Sequence, residues 1–107
     1  MTTLETLSKF KLNLRSANTE KLILTEARNA VTIAKYKYLC ILYEQKQDEL
    51  SAMGETQQAR YHKNQLQYSR SELQRWEERQ NAVQYELLKR LQKIAAESET
   101  NSQNLEK

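Results

Sequence analysis

From Ile23 onward the apolar positions recur every three or four residues: Ile23, Leu24, Ala27, Ala30, Val31, Ala34, Tyr38, Ile41 and Leu42. That is the cadence of an amphipathic helix, and at about three positions per heptad the stripe is wider than the two-position seam of a simple coiled coil. Tyr36, Leu39, Cys40 and Tyr43 add a second apolar face. A helix that is apolar most of the way round is buried from more than one side, so 36–43 is predicted to meet both its own second arm and something further.

The second arm carries a nearly regular seam of Ala59, His62, Leu66, Ser69, Leu73, Trp76, Gln80, Val83, Leu87, Arg90 and Ile94, widened at its end by Leu88, Leu91 and Ala95. His62, Ser69, Gln80 and Arg90 make it imperfect, and the arm is expected to need help in burying it. Before the main stripe, Leu4, Leu7, Phe10, Leu14 and Ala17 keep helical spacing from a start near Thr3, and Thr2 with Glu5 fits a capping box. Phe10, Leu12 and Leu14 also alternate in strand fashion, but no partner strand exists elsewhere. Ser16 to Thr19 is a run of poor helix formers, which predicts a kink or a separate short N-terminal helix. Ser98 to Lys107 has no periodicity and reads as a flexible tail.

The chain has no proline and one glycine, Gly54. Proline costs a helix interior about 3 kcal/mol and glycine about 1 kcal/mol, so little else interrupts the arms. The predicted fold is all-α: arms 3–53 and 55–97 forming an antiparallel helical hairpin about Gly54, one domain over 1–97, completed by oligomerisation or a partner. In such a hairpin residue i lies near residue 108 − i. Tyr38–Leu42 then faces Leu66 and Tyr68, Leu24 and Ala27 approach Val83, and Phe10 nears Ala96. A continuous rod pairing in a dimer would use the same residues.

Composition narrows the function classes. Hydrophobic residues make up 38% of 107, below the roughly 45–50% of soluble globular domains. Scarcity of glycine and proline leaves little from which to build phosphate loops or strained catalytic turns. Cys40 is the only cysteine and His62 the only histidine; a zinc site needs three or four ligands, and acyl transfer needs an oxyanion hole and an orienting group. The adjacent pairs Glu77–Glu78 and Asp48–Glu49 diverge around a helix and do not converge on a substrate. No catalytic residue, metal, cofactor or small-molecule substrate is expected. The longest wholly apolar run, Tyr38 to Tyr43, is far short of the roughly 20 residues of a membrane span. No secretory leader is evident in Met1–Leu14, and the lone cysteine fits a reducing compartment, so a cytoplasmic location is expected.

Charge is mildly basic, 17 Lys plus Arg against 14 Asp plus Glu. The distribution is less even than the total. No acid occurs between Ala27 and Tyr43, or between Thr56 and Ser71. The hairpin register gathers Lys35, Lys37, Arg60, Lys63 and Arg70 with Tyr61 and Tyr68, a patch that could grip phosphates and stack on bases. The preferred reading is a non-enzymatic protein-interaction module: an adaptor, assembly factor or small chaperone binding another protein or a second copy. Its predicted interface is Tyr36, Tyr38, Leu39, Ile41, Leu42, Tyr43, Leu66, Leu73, Trp76 and Val83, with Trp76, Tyr38 and Leu73 as anchors. The alternatives are a small nucleic-acid-binding protein using the basic patch, and an inhibitor that occludes a partner's site. In size, charge and hairpin outline the whole chain resembles the small basic two-helix proteins of bacterial secretion and flagellar export machinery, including stalk proteins and small export chaperones.

Overall fold

A computed structural model describes residues 3–105, with side chains described from Thr6 to Glu99 except Leu12. The Thr2–Glu5 capping box lies outside the described residues. Three helices follow in order: α1 (Thr3–Ser16), α2 (Thr19–Ala52) and α3 (Thr56–Leu105). The fold is all-α, and the long helices α2 and α3 pack against each other as an antiparallel hairpin.

Each break in the helical run has a local cause. At the weak stretch, Ser16 Oγ donates to the Asn13 carbonyl at 3.0 Å and the Ala17 amide closes on Leu14 O at 3.2 Å. Asn18 then starts α2 as its N-cap, its Oδ1 accepting from the Lys21 amide at 2.8 Å. A separate N-terminal helix therefore forms, as the poor propensity of Ser16–Thr19 predicts. At the hairpin turn the Glu55 amide reaches back to Leu50 O at 2.9 Å and the Gly54 amide to Ser51 O at 3.1 Å. This is the Schellman closure of α2, which requires a left-handed residue, and Gly54 supplies it at φ +77°.

A Cβ added at Gly54 would meet nothing within 4 Å. The cost of Gly54→Ala is thus purely conformational, and we expect about 1–2 kcal/mol of lost stability in urea unfolding. Gly54→Asn should lose less, because asparagine visits the left-handed region more readily.

Helix α3 departs from expectation at its far end. It continues to Leu105, past the loss of periodicity at Ser98, because no proline or glycine lies there to stop it. Ile94 falls on the seam by spacing but is 56% exposed. Arg90 already meets Thr19, the first residue of α2, so α2 has no further residues to cover positions beyond it.

Contacts divide the chain into two units, Met1–Glu26 with Gln80–Lys107, and Ala27–Arg79. In the first unit Leu14, Leu22 and Val83 form a buried cluster, with Phe10, Ala17, Ala82 and Leu87 packed around it. Gln80 is buried there too and donates Nε2 to the Glu26 carbonyl at 2.9 Å. Arg90 ties the three helical segments of this unit together. Its guanidinium donates to Leu14 O (3.1 Å), Arg15 O (3.4 Å) and Thr19 Oγ1 (3.2 Å), while its Nε meets Glu86 Oε1 at 3.3 Å.

The second unit is a plain two-helix pair. Leu66, Ser69 and Ala59 are buried on α3, with His62, Leu73 and Trp76 half-buried on the same face. The ring of His62 lies 6.0 Å from that of Tyr43. The predicted register sets His62, Gln80 and Arg90 opposite Lys46, Arg28 and Asn18; the observed partners Tyr43, Glu26 and Thr19 are each within one helical turn of that.

Candidate protein-interaction surface

Two seven-residue repeats run along α2 in the second unit, and the structure assigns them opposite fates. Asn29, Tyr36, Tyr43 and Leu50, with Thr32, Ile33, Leu39, Cys40 and Gln47, are buried or half-buried. Ala27, Ala30, Val31, Ala34, Tyr38, Ile41 and Leu42 are exposed. The main stripe read from the sequence therefore faces outward, while the second face packs inward. Val31 is 72% exposed, Tyr38 63% and Ile41 57%, values that rule out a share in the hairpin core. The helix has buried the more polar of its two apolar faces. Asn29 is 6% exposed, and its Nδ2 has no hydrogen-bond partner among the described residues. Such a polar seam position is a device that sets register in helix pairs, at a cost in stability.

The predicted interface residues accordingly separate. Tyr38, Ile41 and Leu42 are open on the outward face of α2. Tyr36, Leu39 and Tyr43 are half-buried on its inward face, as are Leu73 and Trp76 on α3. Leu66 is buried in this unit and Val83 in the core of the other, so neither can be a point of contact for a partner without unfolding its unit. Trp76 stacks under the Arg79 guanidinium, 4.9 Å from the ring centroid. Its indole is thus engaged within the chain.

The basic patch separates as well. Arg70 reaches Glu44 at 4.0 Å, and Lys35 lies over the Tyr36 ring at 5.3 Å. Arg60 and Lys63 line an open polar groove near the hairpin turn with Gln47, Ser51, Ala59, Asn64 and Gln67. Tyr61 and Tyr68 are exposed on α3, Tyr61 edge-on to His62 at 5.3 Å. On α2, Arg28, Lys35 and Lys37 are exposed, and none pairs with a carboxylate among the described residues.

Cys40 and His62 are each accounted for by packing. Burial pushes the Cys40 thiol above its ordinary value; the Arg70 cation opposes that shift and Glu44 adds to it. A thiol held protonated is a poor nucleophile. His62 uses Nδ1 against the Gln58 carbonyl at 2.9 Å and its ring against two tyrosines. Among the described residues, no group of three or more His, Cys, Asp or Glu side chains is placed to hold a metal. No helix of the described residues is long and apolar enough to cross a membrane.

No protein-family model, curated protein or solved structure matches the chain.

Proposed function

We propose that the protein is a non-enzymatic interaction module, an adaptor, assembly factor or small chaperone, that binds another protein through the outward face of α2 between Ala27 and Leu42. One observation carries this reading: α2 turns its more apolar face to solvent. Scattered exposed leucines need no explanation, but a contiguous apolar stripe on a helix already packed on its other side marks an interaction surface. Side chains for the work are present in Val31, Tyr38, Ile41 and Leu42. Ala27, Ala30 and Ala34 between them let a partner backbone come close, as small residues do at helix crossings.

The reading is tested by lysine-directed cross-linking in the source cells. Lys35 and Lys37 flank the stripe and report on whatever lies against it. We expect cross-links from these two lysines to a recurrent partner protein, lost when Val31→Asp and Ile41→Asp are introduced together. The same cross-links in that variant, or none from the wild-type protein, would remove the proposal.

A further inference from the structure

The geometry points to an acidic amphipathic helix as the occupant of the outward face of α2, a step that rests on the protein-interaction reading above. The argument is one of charge and spacing. Val31 and Tyr38 share one heptad position, and Ala27, Ala34 and Ile41 another; together they form a seam of the two-position kind that a helix fills. On one side of it stand Arg28 and Lys35, seven residues apart; on the other stands Lys37. All three are exposed, and none has a carboxylate partner within the described residues. No acid lies between Ala27 and Tyr43. The seam ends where Gln45 and Asp48 take its positions, so the footprint spans about 24 Å, or four to five turns of helix.

Flanking positions of a helix pair choose the partner by charge. Cations on both flanks of an apolar seam are complemented by a helix with an apolar seam of its own and Glu or Asp on either side. A second copy of this chain fails that requirement. Laid antiparallel so that Ala27 meets Tyr38 and Val31 meets Ala34, two copies bring Arg28 beside Lys35 of the other copy, a like-charge contact. Laid parallel, each flank faces the opposite flank of the other copy, which sets Lys35 against Ala30 and Lys37 against Leu42, so neither lysine gains a carboxylate. A phosphate backbone would satisfy the cations but leave Val31, Ile41 and Leu42 uncovered. An anionic bilayer gains little from a stripe whose small residues are Ala27, Ala30 and Ala34.

The test uses the full chain and a synthetic helical peptide of about 16 residues, matched to the footprint, with a Leu/Ala seam flanked by Glu, followed by fluorescence anisotropy. A control peptide carries Lys in place of every Glu. We expect the Glu peptide to bind and the Lys peptide not to. Reversing Arg28, Lys35 and Lys37 to Glu should weaken the Glu peptide by about tenfold or more and transfer binding to the Lys peptide. Salt at about 1 M, where the Debye length is about 3 Å, should weaken the wild-type complex. Val31→Asp should abolish it while circular dichroism and thermal unfolding stay unchanged, since Val31 contributes nothing to the hairpin core.

The inference is overturned if the Glu peptide does not bind, or if both peptides bind alike. It is equally overturned if single-stranded DNA or phosphatidylserine vesicles bind more tightly than the peptide through the same residues, or if sedimentation finds a dimer that Val31→Asp dissolves. Failure here with Val31-dependent cross-links to another protein intact would discard the acidic helix and keep the interaction module. Loss of both would discard both.

Discussion

Leu22→Ala is expected to cost about 2–5 kcal/mol of unfolding free energy, whereas Leu24→Ala, two residues along the same helix, should change it by no more than about 0.5 kcal/mol. The first side chain is fully buried against Leu14 and Val83; the second is 49% exposed. Truncating Leu22 removes buried methyl groups and leaves a hole between three helical segments that cannot all collapse onto it at once. Truncating Leu24 removes surface that was already half in water. Paired urea titrations decide the matter, because the two variants have the same composition and the same helix propensity at the altered position. Equal losses, or a larger loss at Leu24, would mean that the packing face of α2 is assigned wrongly, and the outward stripe with it.

That contrast also marks where the sequence ran out. Helical periodicity, the break before Asn18 and the turn at Gly54 were all legible, because propensity and left-handed φ are local properties. So was the α3 seam from Ala59 to Arg90, since α3 has one dominant apolar face. Helix α2 has two, and hydropathy ranks the wrong one first: Val31, Ala34 and Ile41 are more apolar than Asn29, Tyr36 and Cys40. A subtler signal was available. The inward repeat Leu22, Asn29, Tyr36, Tyr43, Leu50 runs right up to the hairpin turn, while the outward one lapses into Gln45 and Asp48. Only a face packed on α3 all the way to Gly54 needs an apolar residue at 50.

The exposure of the candidate interface residues was legible by halves for the same reason. Tyr38, Ile41 and Leu42 are open, whereas Leu66 and Val83 are buried and Leu73 and Trp76 half-buried; large apolar residues look alike in sequence whether they face solvent or their own second arm. The basic patch was drawn from a register good to one turn. That is enough to bring Arg70 near α2 and not enough to show that Glu44 would meet it there. By spacing alone Arg90 is one of four polar positions on the seam, since nothing in the spacing reveals that α1 ends beside it.

Arg90→Ala is accordingly expected to release α1. A 14-residue helix such as α1 is marginal on its own in water, and it is held by two things: the packing of Phe10, Leu14 and Ala17 on the Leu22–Val83 cluster, and the guanidinium of Arg90 at its C-terminus. The guanidinium satisfies the Leu14 and Arg15 carbonyls, sits at the negative end of the helix dipole, and is anchored by Glu86 and Thr19. Hydrogen bonds to a charged donor contribute about 1.5–3 kcal/mol each when partly buried, but the freed carbonyls regain water, so we expect a net loss of about 2–3 kcal/mol. Amide exchange in α1 should accelerate sharply while protection in Leu39–Gln47 and Leu66–Trp76 stays as in the wild type. Arg90→Lys should not rescue it, because an ammonium cannot span two carbonyls, a hydroxyl and a carboxylate with one planar fork. Unchanged α1 protection in Arg90→Ala would show that the apolar contacts of Phe10, Leu14 and Ala17 suffice to dock the helix without its cap.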